Sequence, residues 1–164
     1  MTQISLSREE TIIGQLKNHF PEAIGETKIH RARRITIQFD KDHLQDIARF
    51  MRDELGFDHV KGVAGVDFPT QKKIEVLYFA GSFSKPEIED ILAILKTELP
   101  RDNPTIASVV SIWQSAYFHE REVFEMFGVK FDGHPDLRKL LTMDNWEGPP
   151  PMLKDIKFPE MGQR

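Results

Sequence analysis

The chain has 164 residues, 40% of them hydrophobic and 29% charged, and a formal net charge of −4. This length and composition predict one globular domain with at most an appendage, and the acidic balance argues against nucleic acid or an anionic membrane surface as the partner. Cysteine is absent, which excludes disulfides, thiolate zinc sites, cysteine-ligated iron-sulfur clusters and a cysteine nucleophile in this chain.

Hydropathy gives no sign of membrane insertion or secretion. No apolar stretch approaches the roughly 18 to 20 residues that a membrane helix requires, and the N-terminus lacks the charged and apolar regions of a signal peptide. We therefore expect an intracellular chain that contacts a membrane only through partner proteins.

The chain begins with a predicted helix followed by a predicted strand. Residues 7–20 fit a helix, because Ser7 and Glu10 have the spacing of a capping box and Pro21 ends the helical pattern. Residues 28–39 are predicted to form one strand, because the second half of this segment alternates polar and apolar side chains.

The clearest helix of the sequence follows this strand. It begins at Asp40 or Asp42, carries apolar side chains on one face, and stops before Gly56. We expect that face to belong to the core. Both N-terminal-half helices are therefore predicted to pack on a sheet that the surrounding strands form.

Two further strands are predicted in the middle of the chain. Residues 57–68 form the first, in which Gly62 and Gly65 indicate a bulge or a close backbone approach. Residues 73–80 form the second, which is apolar on both faces at its centre. Such a pattern is expected for a strand that is covered on both sides.

The next segment is ambiguous. Residues 87–99 fit an amphipathic helix, yet their short central apolar run also fits a buried strand, and periodicity alone does not decide between the two. We favour a strand over about residues 90–99, because it would extend the preceding strand into a meander. Residues 107–113 are short, β-branched and strand-like.

Residues 116–127 are predicted to form a further helix without a clean apolar stripe. On a helical wheel at about 100° per residue, its apolar side chains spread round nearly the whole circumference. Charged side chains alternate with them: Glu120, Arg121, Glu122 and Glu125. Such a helix needs cover on more than one side, and a small sheet covers only one, so we expect a second protein surface against it.

Glycines and prolines interrupt the chain after Gly128, but apolar residues continue at intervals. A long irregular segment with such anchors is typical of a functional or partner-binding segment. We therefore divide the chain into an α+β domain (residues 1–128) and an extended C-terminal arm (residues 129–164) that docks on a partner. The predicted fold class is α+β: a mainly antiparallel mixed sheet, two packed helices, an interface helix and the irregular arm.

The helix and the start of the arm carry a motif with fixed spacing. Its members are Glu120-Arg121-Glu122, Glu125, Met126-Phe127, His134, Arg138 and Leu140-Leu141. This motif resembles the signature of the 30 kDa subunit of respiratory complex I, also called the C subunit of NADH:quinone oxidoreductase. Residues 64–69 and 108–113 are also similar to that family. Its counterparts occur in membrane-bound group 4 nickel-iron hydrogenases and in sulfane-sulfur reductases.

The resemblance implies a non-catalytic, cofactor-free peripheral subunit of a membrane-associated oxidoreductase. Its partners would be a catalytic large subunit, of the 49 kDa or hydrogenase-large-subunit type, and an iron-sulfur small subunit. Iron-sulfur clusters, and nickel-iron in a hydrogenase, would lie in those partners. The chain would lie at the cytoplasmic face of the cell membrane.

The sequence departs from the complex I pattern in the arm. That pattern usually continues after Trp146-Glu147-Gly148 with His-Pro-Leu-Arg-Lys-Asp, whereas residues 149–155 intervene here. The contact of the tail with its partner is therefore altered. A hydrogenase-type or sulfane-reductase-type complex stays open as the alternative to a quinone reductase.

We predict that the motif residues form the partner interface. Charged side chains would set the docking register: Glu120, Arg121, Glu122 and Arg138. Apolar side chains would be the anchors: Phe124, Phe127 and Trp146. The remaining predicted interface residues are Glu125, Gly128, His134, Pro135, Asp136, Leu140 and Leu141. A buried charge without a partner costs about 3 to 5 kcal/mol, so the alternative is that these charges pair within the chain.

The spacing of the motif residues argues against catalysis by this motif. Glu120 and Glu122 are two residues apart, so on a helix they point about 200° apart and do not share one substrate. His134 lies in a Gly-His-Pro turn, where hydrogen bonding to backbone is favoured over metal ligation. A stand-alone soluble enzyme that uses Glu120, Glu122 or His134 is the competing function.

Overall fold

A five-stranded mixed sheet with helices forms the body of the protein. The structure, a computed structural model, describes residues 7–143 and 145–156; residues 157–164 of the predicted arm lie outside this part. The elements in chain order are α1 (Ser7–His19), β1 (Ile24–Arg31), β2 (Arg34–Phe39), α2 (Leu44–Phe50), β3 (His59–Phe68), β4 (Lys73–Gly81), β5 (Leu92–Pro100), β6 (Thr105–Ala107), α3 (Ala116–Phe127) and β7 (Lys130–Asp132).

The large sheet has the strand order β1-β2-β5-β4-β3. All neighbouring strands are antiparallel except β2 and β5, which are parallel. Strands β6 and β7 form a second, parallel pair, so the first residues of the predicted arm join the body. The predicted α+β class and the mainly antiparallel mixed sheet are confirmed.

The core lies between the helices and one face of the sheet. Alternate residues of β4 are completely buried there, among them Ile74, Val76 and Tyr78. They belong to the same cluster as Leu16 of α1 and Ile47 of α2. The alternating apolar side chains of the strands and the helically spaced apolar side chains of α1 and α2 therefore pack in one hydrophobic core.

The prediction of one strand over residues 28–39 is wrong, because this segment belongs to a hairpin. Strand β1 already begins at Ile24, and a turn at Ala32 and Arg33 separates it from β2. Arg33 has a left-handed backbone with φ 71°. Its N–H donates to Oε1 of Glu9 in α1 at 2.6 Å. This long-range bond stabilises a turn that contains none of the usual turn residues.

The ambiguous segment contains a strand, as we favoured for about residues 90–99: β5 spans Leu92–Pro100, and residues 86–90 form turns. Strand β5 pairs with β4 in register, with Ala80 opposite Ala93 and Ile74 opposite Leu99.

The predicted strand over residues 107–113 is wrong, since β6 ends at Ala107 and a series of turns follows. Turn formation here depends on side chains that are distant in sequence, and strand propensity takes no account of them.

The helical segment that contains α2 ends as predicted at a left-handed glycine. A 3₁₀ turn (Lys41–His43) precedes it, and Asp40 caps this turn by accepting the N–H of Asp42. A π-helical turn (Met51–Leu55) follows it and stops at Gly56, which has φ 89°. Glycine adopts this conformation without the steric cost that a Cβ imposes.

The two glycines predicted to mark irregularities in β3 do so in different ways. The pairing of β3 with β4 shifts by one residue between Val60 and Gly62, which is a β-bulge. At Gly65, a Cβ would lie 2.5 Å from Cδ2 of Phe127, so helix α3 packs directly on the strand backbone. Gly65 therefore sets the distance between β3 and α3.

We expect Gly65→Ala to lower the free energy of unfolding by about 1 to 3 kcal/mol, because the added methyl group overpacks this contact. Gly14→Ala in α1 is the matched control, since a Cβ there meets nothing within 4 Å and alanine raises helix propensity. Urea unfolding measures both variants. Equal stability of the two variants would show that the α3 contact tolerates a side chain at residue 65.

Candidate docking site

Helix α3 positions the motif residues. Its Phe127 packs on Gly65 of β3, and the helix ends at Gly128, whose left-handed backbone (φ 76°) lets its N–H donate to the carbonyl of Phe124 at 2.9 Å. Phe124 and Phe127 are half-buried against the core. The helix thus has one side on the sheet and another side toward the arm.

Glu120 is completely buried between α3 and the turns that precede it. Its Oε2 accepts the hydroxyl of Ser108 at 2.6 Å, and its Oε1 accepts the N–H of Val109 at 2.8 Å. Burial raises the pKa of Glu120 to about 7, although both hydrogen bonds act in the opposite direction. Glu120 therefore fixes the chain before its own helix, at a position shielded from solvent.

Glu125 binds the arm. Its carboxylate accepts the N–H groups of Leu140 and Leu141, both at 2.8 Å, and of Thr142 at 2.7 Å. The Thr142 hydroxyl also donates to it. Burial pushes the pKa of Glu125 upward, but the bonds from Thr142 and from the backbone outweigh it and lower the pKa to about 2. The carboxylate stays charged at neutral pH and holds three successive backbone groups.

Arg121 binds the residues just before them. Its Nε donates to the carbonyl of Arg138 at 3.1 Å, and Nη2 donates to the carbonyl of Lys139 at 2.8 Å. The guanidinium also lies over the ring of Phe118, 5.7 Å from its centroid. Within the described residues, Arg121 and Glu125 form no ion pair with each other. Both instead clamp the arm backbone.

The Gly-His-Pro turn is joined to the start of α3. The Nε2 of His134 donates to the carbonyl of Tyr117 at 3.0 Å, and Nδ1 accepts the N–H of Asp136 at 3.0 Å. Because a carbonyl only accepts and an amide only donates, this geometry fixes the neutral Nε2–H tautomer. Asp136 accepts from the Tyr117 hydroxyl at 2.8 Å and from Nε of Arg138 at 3.0 Å. The prediction that His134 bonds to backbone is confirmed.

A second clamp, which the sequence patterns did not predict, lies around Asp67. Asp67 is buried at the end of β3 and accepts two bonds from Arg101, at 2.7 and 3.0 Å. It also accepts the N–H of Lys154 at 2.9 Å, and Arg101 reaches Asp155 at 2.5 Å. The arm is therefore held again beyond its proline-rich part. The family resemblance of residues 64–69 is the signal in the sequence, but it implies no role for Asp67.

The predicted interface residues range from buried to exposed. Three are buried and bound within the chain: Glu120, Arg121 and Glu125. Others are exposed to solvent: Glu122, Pro135, Arg138, Leu140 and Leu141. Trp146 is half-exposed, its Nε1 donates to the carbonyl of Pro149 at 3.3 Å, and its own carbonyl accepts from Lys139. The role of these residues toward a partner stays a prediction.

Large apolar side chains on α3 and on the part of the arm near the clamps are also exposed. We define the docking surface as Phe118, Leu140, Leu141, Met143 and the adjoining Arg138. Phe118 is 59% exposed, Leu141 60% and Met143 71%. The clamps of Arg121 and Glu125 hold the arm on which most of this surface lies.

Two further properties concern the part of the chain that the structure describes. In residues 7–143 and 145–156, no group of three or more histidine, aspartate or glutamate side chains is placed to hold a metal ion. Over the same residues, every helix is too short or too polar to cross a membrane.

Sequence comparison identifies relatives along most of the chain. The family model described as the 30 kDa subunit of the respiratory-chain NADH dehydrogenase matches residues 37–161. The C subunit of F(420)H(2) dehydrogenase from Methanosarcina mazei is 39% identical over 155 residues, which cover 94% of this chain and 96% of the relative. The C subunit of NADH-quinone oxidoreductase from Chlorobium phaeobacteroides is 38% identical over 128 residues, covering 74% and 72%.

Solved structures share the fold. A chain of the membrane-bound sulfane sulfur reductase, an archaeal respiratory membrane complex, aligns with a TM-score of 0.79 and 28% identity over 92% of this chain and 86% of that chain. The trypsin-resistant fragment of Nqo5 aligns with a TM-score of 0.65 and 23% identity, over 79% of this chain and 99% of the fragment. The chain therefore belongs to the 30 kDa subunit family of the respiratory-chain NADH dehydrogenases and their complex-I-like relatives.

Proposed function

We propose that this chain is a docking subunit of a membrane-associated complex-I-like oxidoreductase. One observation carries the proposal: Arg121 and Glu125 use their charges to fix the arm backbone, while the large side chains of the docking surface face solvent. An exposed apolar patch beside a motif of this kind marks a protein interface. Its occupant would be the catalytic large subunit, with the iron-sulfur small subunit in the same complex.

The energetics favour docking on a preformed arm. Burying one of these apolar side chains contributes about 1.5 to 3 kcal/mol, and ordering backbone during binding costs about 1 to 2 kcal/mol per residue. Because the clamps already order residues 138–142 in the free chain, most of that cost would not arise on binding. Catalysis and its metal cofactors would then reside in the partners.

Besides the NADH-quinone oxidoreductases, two types of complex agree with the relatives. The first is an F(420)H(2) dehydrogenase, because the C subunit of that enzyme is similar over nearly the full length of both chains. The second is a sulfane sulfur reductase, because the structural similarity covers most of both chains. We propose the first as the principal candidate, at the cytoplasmic face of the cell membrane, with the second as the alternative to test.

Affinity purification of the tagged chain from native membranes tests this function. Mass spectrometry should identify a catalytic large subunit and an iron-sulfur subunit in the eluate. Oxidation of F420H2 by the purified complex, compared with reduction of sulfane sulfur, distinguishes the two candidates. Recovery of the chain as a free monomer would refute the docking role and would favour a stand-alone enzyme.

We expect Leu141→Asp to lower recovery of the large subunit at least about tenfold, because it places a charge in the apolar contact. Gln15→Asp, at an exposed position of α1, introduces the same charge and should leave recovery unchanged. Circular dichroism of both purified chains confirms that they fold. If the two variants retain the large subunit equally, the docking surface does not bind it.

A further inference from the structure

The sheet has one buried face and one open face. On β4 and β5 the buried residues alternate with half-exposed ones, and Leu77, Phe79 and Ile94 lie on the open side. Register places Phe79 opposite Ile94, and Leu77 beside them on the same face. A solvated sheet face normally carries polar side chains, so this apolar centre is unusual for a face without cover.

An aromatic side chain stands at the end of this open face. Phe83 is 80% exposed, the largest exposure among the large hydrophobic residues that the structure describes. Its ring is stacked on His59, with centroids 3.8 Å apart and an interplanar angle of 1°. His59 pairs with Gly81 of β4, two residues beyond Phe79. The stack therefore continues the apolar centre along the same face.

Phe83 is fixed in its exposed position. The N–H of Phe83 donates to both oxygens of Asp58, at 3.0 and 3.1 Å, and Ser84 donates its N–H at 2.8 Å and its hydroxyl at 2.6 Å to the same carboxylate. The Nδ1 of His59 donates to Asp58 at 2.6 Å. Five hydrogen bonds thus orient the loop and the stacked ring. A rigid, exposed aromatic is typical of an interface hot spot.

The charges around the open face favour an acidic partner. Lys61 lies next to Gly81, where a Cβ would meet its Cε at 2.3 Å, and Lys28 and Arg34 lie on the exposed surface of β1 and β2. Across residues 7–143 and 145–156, none of these three cations forms an ion pair, whereas Lys73 and Lys96 pair with carboxylates of β4 and β5. One carboxylate, Glu26, lines the same groove as Lys28, but these three cations outnumber it, so the rim is basic around an apolar centre.

We propose that the open face is a second docking site, for a partner subunit that presents an apolar pocket to Phe83 and carboxylates to Lys61 and Arg34. The proposal rests on the proposed function, because the complex supplies this partner. It adds a contact on the sheet, apart from the docking surface on the arm. The protein then bridges two surfaces of its complex.

Photocrosslinking in the native complex tests this site. The probe is p-benzoylphenylalanine, placed in separate chains at position 83, at position 141 as the reference for the arm, and at the exposed position 15 as the background control. Position 83 should give a crosslink at least about tenfold above background, to a peptide of another subunit that contains apolar and acidic residues. Lys61→Glu should lower that yield, because it repels the carboxylates.

The outcomes separate the two proposals. A crosslink from position 141 with only background from position 83 overturns the second site and leaves the arm interface intact. A crosslink from position 83 to a second copy of this chain, or to the chain itself, also overturns it. Background yield from both positions refutes both interfaces. Since phenylalanine is replaced by a phenylalanine derivative at position 83, the fold is retained there.

Discussion

Replacing Glu125 with alanine should release the arm from helix α3. The variant removes one carboxylate that accepts three backbone N–H groups and one hydroxyl. Hydrogen bonds to a charged group contribute about 1.5 to 3 kcal/mol each, and they act here as one unit. We expect hydrogen-exchange protection of the amides at residues 140–142 to fall by about 100-fold or more.

Glu122→Ala is the matched control, since Glu122 is an exposed carboxylate on the same helix. It should leave the protection of residues 140–142 within about twofold of the native chain, a negligible change in free energy. Unchanged protection in Glu125→Ala would mean that other contacts hold the arm.

Acid should have the same effect as the substitution. Because the folded pKa of Glu125 is lowered to about 2, the clamp is intact above about pH 4.5 and is lost as pH falls toward 2.

Glu120 should make the stability of the fold fall as pH rises. Its pKa is raised from 4.5 to about 7, so between these values the folded state binds a proton that the unfolded state has released. Stability from this group is fully present below about pH 4.5 and is lost as pH rises through 7. The difference amounts to about 3 kcal/mol, at 1.36 kcal/mol per pKa unit. This direction is opposite to that of Glu125 on the same helix.

Glu120→Gln tests this linkage, because glutamine keeps the shape and an acceptor oxygen but does not ionise. Relative to the native chain, the variant should gain about 3 kcal/mol in free energy of unfolding between pH 4.5 and pH 8. Urea unfolding at both pH values measures the gain, and Glu122→Gln should show none. If Glu120→Gln shifts stability equally at both pH values, the carboxyl is not protonated near neutrality.

Sequence patterns predicted the elements whose causes are local. The short apolar run in residues 73–80 predicted β4, the stop signal at Gly56 is confirmed, and the close approach at Gly65 follows from the missing side chain. Periodicity did not decide between helix and strand for residues 87–99, and the expected meander correctly indicated a strand, which is β5 (Leu92–Pro100). In each case the residues that decide the structure lie within or beside the element.

The errors have long-range causes. The turn at Arg33 depends on Glu9 of α1, and the turns after Ala107 depend on Glu120 of a later helix. Glu9 and Glu120 are both too far along the sequence from these turns for a local sequence pattern to include them. The charges of α3 show the same limit, because the sequence indicated that they need partners but not that Arg121 and Glu125 find them in the arm backbone. Asp67 went unassigned for that reason.

The parallel pairing of β2 with β5 has a consequence for how the chain folds. Strands β1 and β2 form a hairpin, and β3, β4 and β5 form a meander, so each unit closes through local contacts. Among the described residues, only the β2–β5 pairing, with Arg34 opposite Leu92, joins the two units within the sheet. Closing a long loop costs entropy before its contacts form. The two units should therefore gain structure first, and the joining of β2 to β5 should limit the folding rate.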